Sequence, residues 1–243
     1  MQNFHQKDLT VLTSHCDATA RLSIPEIFNQ FMDIASDHAK LLGVGYHDMS
    51  AKGVFWVILR SRVRFYRRPM ILEDTQLETW PAAPGRVRCE RYYTLRAGEE
   101  LLAEGRTEWA VMDLANGKAV SAAASGYPAQ MQHREESTCP APFRRFTDDF
   151  TPEEKVATLT VRPSDIDMGQ HVNNVIYLRY LLDTFTVAQQ KALNVREAEL
   201  AYRTPCFEGE ELNIYRRRTE EGYLFAVCHA DGSTAVLAAL ETE

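Results

Sequence analysis

The chain has 243 residues, of which 45% are hydrophobic and 25% are charged, the balance of a globular protein with a sizeable core. Its length corresponds to one large domain or two small ones. A net charge of -7 excludes a general nucleic-acid binder, because such proteins rely on an excess of lysine and arginine.

A first helix is predicted over residues 23–42. Ser23 is the expected N-cap, Pro25 and Glu26 fall in the first turn, and Gly43 ends the helix. Its apolar residues recur at three- and four-residue spacing and are Ile24, Ile27, Phe28, Phe31, Met32, Ile34, Ala35, Leu41 and Leu42. A stripe this broad predicts a helix that is largely embedded in other structure.

Most of the remaining chain has the pattern of β-strands. The strand-like runs are residues 55–66, 75–80, 87–96, 106–114, 211–219, 222–230 and 234–242. Turn signals at Asn116-Gly117 and around Gly232 predict antiparallel hairpins. Residues 125–155 are rich in proline and charge and are interpreted as the connection between two halves.

A second helix is predicted from Asn174 to Leu193. Its apolar side consists of Val175, Leu178, Leu181, Leu182 and Phe185. The N-terminal residues of the chain lack the apolar segment of a secretory signal, and no apolar run approaches the ~20 residues of a membrane span. The scattered cysteines are Cys16, Cys89, Cys139, Cys206 and Cys228. Their spacing favours reduced thiols in a cytoplasm over a disulfide framework or a zinc site.

The two halves of the sequence resemble each other. A shift of 150 residues places Asp17 on Asp167 and brings the two predicted helices into register. Further along, residues 65–74 resemble residues 201–210, with Pro69 over Pro205. These matches predict a duplication. The shift of 150 residues places Arg21 at the position of His171, so the first half lacks the histidine. Only the second half is therefore expected to hold a complete catalytic site.

A polar turn before the second helix carries the candidate chemistry. Asp167 and His171 are four residues apart, and a histidine can accept a proton from water near neutral pH. The N-terminus of the following helix, with Asn173 and Asn174, can hold an oxyanion. The alternative is that these residues are ordinary turn and capping residues.

The stretch "SDIDMGQHVNNVIYLRYLLD" resembles the signature of acyl-acyl-carrier-protein thioesterases, a family with two tandem hotdog domains. The similarity covers nearly the whole chain, including "MDIASDHAKLLG", "GVFWVILRSRVRFYRRP", "LETWP", "RTEWAVMD" and "YRTPCFEGEEL". It implies an α+β double hotdog fold, in which each half wraps a curved antiparallel sheet around a long helix. The implied halves are residues 1–130, with the pocket for the acyl chain, and residues 156–243, with the catalytic motif, joined by a linker at 131–155.

The resemblance also implies an activity, hydrolysis of acyl-acyl carrier protein to a free fatty acid. Asp167 and His171 would activate water, and Asn173 or Asn174 would help to hold the oxyanion, without a metal or an organic cofactor. Acyl carrier protein is the implied partner, the implied location is cytoplasmic, and a homodimer is left open. The rival hypotheses are an acyl-CoA thioesterase on the same fold and a non-catalytic acyl-thioester binding protein.

The chain departs from the family pattern at two positions. Gly169 stands where the family has asparagine, and Pro205 replaces the glutamate that precedes Cys206. Glu208 is a candidate substitute for that carboxylate. Cys206 is a candidate nucleophile, but its place in a strand-like run favours a buried, inert thiol.

Two basic clusters are candidates for docking the acidic carrier protein. They consist of Arg60, Arg62, Arg64, Arg67 and Arg68 in the first half, and Arg216, Arg217 and Arg218 in the second. An acidic enzyme needs a local basic patch to bind an acidic partner. The alternative is a solvated sheet surface balanced by nearby carboxylates.

Overall fold

The structure is a computed structural model that describes residues 3–128 and 130–243. The chain divides into two compact units, one ending at Ala141 and the other beginning at Pro142. The predicted linker at 131–155 is shared between them, and the predicted functional division into halves remains a prediction. Residues 1, 2 and 129 of the predicted first half lie outside the described residues.

The first unit combines helices with an antiparallel sheet. Its elements are β1 His5–Thr10, α1 Ile24–Leu41, α2 Tyr46–Ala51, β2 Val54–Phe65, β3 Asp74–Pro81, β4 Arg88–Ala97, β5 Glu100–Asp113 and β6 Ala119–Val120. The sheet has the order β1-β3-β4-β5-β2, and β6 pairs with β5 through the predicted Asn116-Gly117 turn.

Helix α1 begins as the sequence predicts, and its apolar stripe is buried except for Met32, which is half-buried, and Leu41, which is exposed. The Ser23 hydroxyl accepts the backbone N–H of Glu26 at 3.3 Å, which satisfies one of the free donors at the helix start. Phe31 stacks on Tyr93 of β4 with ring centroids 4.9 Å apart. A Cβ at Gly105 of β5 would lie 2.7 Å from the Phe31 ring, so a glycine lets the helix approach the sheet closely.

The second unit repeats this plan. Its elements are β7 Lys155–Thr160, α3 Asn174–Leu182, α4 Val187–Ala192, β8 Val195–Tyr202, β9 Glu211–Arg218, β10 Gly222–His229 and β11 Thr234–Thr242. The strand order β7-β9-β10-β11-β8 matches that of the first unit, strand for strand. Strand β8 is absent from the sequence prediction.

The second helix differs from its prediction because it ends at Leu182, and a separate short helix follows. Thr186 caps this new helix by accepting the N–H of Gln189 at 3.2 Å. The side chain of Gln190 donates to the carbonyl of Leu182 at 2.9 Å, an acceptor at the end of α3 that also receives the N–H of Phe185 at 3.0 Å. A second cap inside the apolar pattern therefore divides the predicted helix.

Matching backbone hydrogen bonds confirm the structural repeat and correct part of its register. The N–H of Leu22 donates to Pro69 O at 2.9 Å, and the N–H of Val172 donates to Cys206 O at 2.8 Å. Pro69 is therefore equivalent to Cys206, and the sequence-based match of Pro69 with Pro205 is wrong by one residue. An offset of 137 relates this later segment, so Arg68 corresponds to Pro205.

The same offset aligns the turns before β3 and β9. The backbone N–H of Met70 donates to the Glu73 carboxylate at 2.9 Å, and that of Phe207 donates to Glu210 at 3.1 Å. Across the described residues, no helix is both long and apolar enough to cross a membrane.

Candidate active site

The polar turn between β7 and α3 is closed by its own backbone. The N–H of Asp167 donates to His171 O and the N–H of Gln170 donates to Asp167 O, both at 3.0 Å. Gln170 has a left-handed φ of 61°, which reverses the chain between the two bonds. The turn thereby brings the side chains of Asp167 and His171 together, as the sequence predicts.

The hydrogen bonds of His171 define which ring nitrogen can act as a base. Nδ1 lies 3.1 Å from the carbonyl oxygen of Val172 and 3.8 Å from Oδ1 of Asp167. Because a carbonyl oxygen only accepts, Nδ1 carries the proton in the neutral ring and Nε2 holds a lone pair. The side chains of His171 and Asp167 are 30% and 24% exposed, so water reaches them.

Gly169 lies beneath this ring. Its N–H donates to Oδ1 of Asp167 at 2.7 Å, and a Cβ at this position would lie 2.8 Å from Nε2 of His171. The space that a side chain at 169 would occupy is therefore filled by the imidazole.

Asn173 is the N-cap of α3. Its side-chain oxygen accepts the N–H of Val175 at 2.9 Å, and its own N–H donates to Asp165 O at 2.9 Å. The amide oxygen is thus engaged by the helix, and the side-chain NH₂ takes no part in this cap. Asn174, the first residue of the helix, accepts the hydroxyl of Tyr202 on its carbonyl at 3.3 Å.

Cys206 is fully buried, with 0% exposure. Burial raises the pKa of its thiol to about 11, although a hydrogen bond with the Tyr177 hydroxyl acts in the opposite direction. The thiol is therefore protonated near neutral pH and is a poor nucleophile. Its backbone carbonyl, which accepts from Val172, ties the loop after β8 to the polar turn.

Two further side chains, Glu210 and His229, lie near Cys206 and are not predicted as site residues from the sequence. Glu208 is exposed, whereas the carboxylate of Glu210 lies 3.3 Å from Nδ1 of His229. Nε2 of His229 lies 3.0 Å from the Thr204 hydroxyl and 3.9 Å from Cys206 Sγ. His229 ends strand β10, so no local sequence pattern joins it to the other residues.

The first unit contains the same turn without the histidine. The N–H of Asp17 donates to Arg21 O at 2.9 Å, and Ala20 has the left-handed φ of 56° that Gln170 has in the second unit. Burial raises the pKa of Asp17, but hydrogen bonds from Thr19 and Arg68 outweigh it and hold that pKa below its usual value. The aspartate of the first unit is therefore held in an ion pair with arginine.

Two arginines of the first basic cluster, Arg62 and Arg67, make contacts within the first unit. Arg62 is only 4% exposed and donates to the carbonyl of Ala141 at 2.8 Å. Arg67 forms ion pairs with Glu73 at 2.8 Å and Glu100 at 2.6 Å. Arg67 is therefore already neutralised by neighbouring carboxylates.

In the second cluster, Arg217 forms an ion pair with Glu154, and Arg216 lies over the ring of Phe185 at 4.3 Å. Arg218 is exposed. A docking role for the two clusters therefore stays a prediction, and Arg218 is the most accessible of these three second-cluster charges.

Comparison with known families covers both units. The acyl-ACP thioesterase N-terminal domain matches residues 2–125, and the C-terminal domain of the same family matches residues 150–242. The chain belongs to the acyl-ACP thioesterase family. The candidate turn lies in the part that matches the C-terminal domain.

Two plant relatives show how far the sequences have diverged. The chain is 25% identical over 218 residues to "Palmitoyl-acyl carrier protein thioesterase, chloroplastic" of Arabidopsis thaliana, covering 83% of this chain and 52% of the relative. It is 27% identical over 212 residues to the protein of that name from Gossypium hirsutum, covering 78% of this chain and 48% of the relative. The chain thus spans about half the length of these relatives.

Solved structures agree with the double hotdog fold. The 12:0-ACP thioesterase from Umbellularia californica superposes with a TM-score of 0.86 at 20% identity, covering 100% of this chain and 98% of that one. An acyl-ACP thioesterase from Bacteroides thetaiotaomicron gives 0.84 at 22% identity, covering 99% and 98%. The predicted α+β double hotdog fold is confirmed.

Proposed function

We propose that the chain hydrolyses the thioester of acyl-acyl carrier protein and releases a free fatty acid. The family match of both units and the names of the plant relatives support this reaction. The observation that carries the residue assignment is the imidazole of His171, whose Nδ1 faces a carbonyl oxygen and a carboxylate and whose Nε2 is left as the basic atom.

In this proposal, Nε2 of His171 takes a proton from a water molecule as the water oxygen attacks the thioester carbonyl. The tetrahedral intermediate then collapses, the C–S bond breaks, and the imidazolium returns its proton to the departing thiolate. The products are the fatty acid and the free thiol of the carrier, so no oxidant, reductant or cofactor is consumed.

Asp167 stabilises the imidazolium that forms during attack. Its Oδ1 lies 3.8 Å from Nδ1 of His171, within reach of the positive charge that the ring gains in this step. The same oxygen accepts the N–H of Gly169, so the carboxylate is held by the turn while the ring changes its charge.

The start of α3 is the proposed place of the developing oxyanion. The positive end of the helix dipole favours negative charge there, and the side-chain NH₂ groups of Asn173 and Asn174 are the assigned donors. The acyl chain is proposed to lie in the first half, residues 1–130, and carrier docking is proposed to use arginines of the two basic clusters.

The test is steady-state hydrolysis of one acyl chain presented on carrier protein and on coenzyme A. Wild-type protein is expected to prefer the carrier-bound substrate, and His171→Ala and Asp167→Ala should lower kcat by about 10²-fold or more, the usual scale for loss of a general base. His47→Ala, which removes an exposed histidine of the first unit, is the matched control and should retain activity.

Three results would separate the rivals. A preference for coenzyme A would identify an acyl-CoA thioesterase on the same fold. Tight binding of acyl thioesters of several lengths without hydrolysis would identify a binding protein. Near-wild-type hydrolysis in both the His171 and Asp167 variants would overturn the assignment of the water-activating pair.

A further inference from the structure

A group of ligating side chains lies outside the proposed catalytic pair. Cys206 Sγ, one ring nitrogen of His229 and a carboxylate oxygen of Glu210 all lie within 4.8 Å of one another. The cysteine and the glutamate come from the loop after β8, and the histidine comes from the end of β10. The hydrolytic mechanism leaves these three side chains without a role.

We propose that Cys206, Glu210 and His229 form a binding site for a zinc ion. Thiolate sulfur, imidazole nitrogen and carboxylate oxygen are the three ligand types that zinc takes from proteins. The sulfur ligand disfavours magnesium and calcium, which prefer oxygen. Binding displaces the thiol proton of Cys206 to solvent, and the metal–sulfur bond replaces the S–H bond.

The separation between the thiol and the imidazole fits two ligands of a tetrahedral ion after a small movement. Cys206 Sγ and His229 Nε2 are 3.9 Å apart. Two ligands at zinc–sulfur and zinc–nitrogen distances of about 2.3 and 2.0 Å, at a tetrahedral angle, lie about 3.5 Å from each other. A side-chain movement of a few tenths of an ångström therefore brings the sulfur and the nitrogen to the distance that zinc requires.

The surroundings supply what a metal site needs beyond its ligands. The Tyr177 hydroxyl lies near Cys206 and would donate to the thiolate once the metal is bound. Thr204, Glu210, His229, Asp231 and Ser233 line a surface depression, which gives the ion and a coordinating water a path from solvent.

The positions equivalent to the three proposed ligands hold different residues in the first unit. Glu73 is equivalent to Glu210, Pro69 to Cys206, and the strand register makes Ala97 equivalent to His229. In the first unit the glutamate is neutralised by Arg67, whose equivalent is Thr204. The second unit thus retains the carboxylate, replaces its guanidinium partner and adds a thiol and an imidazole beside it.

The experiment titrates the purified, chelator-treated full chain with Co²⁺, a spectroscopic substitute for zinc, and then displaces the cobalt with Zn²⁺. We expect one equivalent of Co²⁺ to give a sulfur-to-cobalt charge-transfer band in the near ultraviolet. Cys206→Ser and His229→Ala should abolish this band, and Glu210→Gln should weaken Co²⁺ binding at least about 10-fold. Cys228→Ser, which changes a buried thiol beside His229, should leave the band intact.

A second measurement guards against misfolded variants. Zn²⁺ should raise the Tm of the wild type and of Cys228→Ser, because a ligand that binds only the folded state stabilises it. Cys206→Ser should have a Tm that does not respond to Zn²⁺. The absence of a thiolate band in the wild type, or its persistence in Cys206→Ser, would overturn the site. Neither readout involves hydrolysis, so this result is independent of the proposed activity.

Discussion

The ring of His171 lies over Gly169, with Nε2 only 2.8 Å from the point that a Cβ on residue 169 would occupy. The equivalent residue of the first unit is Thr19, whose N–H bonds Asp17 at 2.8 Å just as the N–H of Gly169 bonds Asp167. The turn therefore accepts a side chain at this position. Since Gly169 has no positive φ, a side chain at this position would meet the ring of His171 without straining the backbone.

Gly169→Ala is accordingly expected to displace the imidazole without unfolding the turn. Because a misplacement of the order of 1 Å can cost about 10²-fold in rate, kcat should fall by about 10- to 100-fold while the Tm changes little. Steady-state kinetics and thermal unfolding measure the two effects. Thr19→Gly is the control and should keep its kcat; unchanged kcat in Gly169→Ala would show that the ring finds another productive position.

Asn173 has two separable roles, as the cap of α3 and as a proposed oxyanion donor. Asn173→Asp keeps the oxygen that accepts the N–H of Val175 but removes the NH₂ donor, so stability should hold while kcat falls by about 10-fold or more. Asn173→Ala removes both and should also cost about 1 kcal/mol in the free energy of unfolding. Denaturant unfolding and kcat separate the roles. An equal kcat in Asn173→Asp and the wild type would show that Asn173 acts only as the helix cap and not as an oxyanion donor.

The reactivity of the buried Cys206 thiol is expected to depend on pH. With its pKa raised to about 11, the thiolate fraction stays small at neutral pH and grows only as the pH approaches that value. Iodoacetamide at pH 7 should therefore leave Cys206 unmodified and hydrolysis intact, as followed by mass spectrometry of the peptide and by residual activity. Rapid labelling of Cys206 together with loss of activity would identify it as a nucleophile instead.

The sequence predicts local features of this protein better than distant ones. The Ser23 cap, the embedded face of α1 and most strands follow from patterns within a few residues of each other. Strand β8 was missed, and its burial is near continuous without the alternation that marks a half-exposed strand. His229 and Glu210 were missed because the fold alone brings them beside Cys206.

The one-residue error in the repeat has a similar cause. Pro69 and Pro205 match as letters, but the carbonyl that accepts from the turn belongs to Pro69 in one unit and to Cys206 in the other. Hydrogen bonds depend on position in space and not on residue identity. They show that Pro205 corresponds to Arg68 in the repeat.

The two equivalent aspartates, Asp17 and Asp167, lie beside different cationic or ionisable side chains. In the first unit, the guanidinium of Arg68 contacts the Asp17 carboxylate and the carbonyl of Leu22. In the second, the imidazole of His171 lies near the equivalent pair of acceptors, the carboxylate of Asp167 and the carbonyl of Val172. The histidine therefore occupies the acceptors that an arginine holds in the first unit.

Pro205→Arg should restore that arginine and make it compete with His171 for both acceptors. An arginine is always charged and forms the stronger pair with a carboxylate, so the imidazole should lose its orientation and kcat should fall by about 10²-fold. Pro205→Ala, which changes the backbone without adding a charge, is the control and should lose much less. Because the new ion pair resembles that of Asp17, the Tm of Pro205→Arg should not fall below that of Pro205→Ala. Retained kcat in Pro205→Arg would mean that His171 does not depend on these two acceptors for its position.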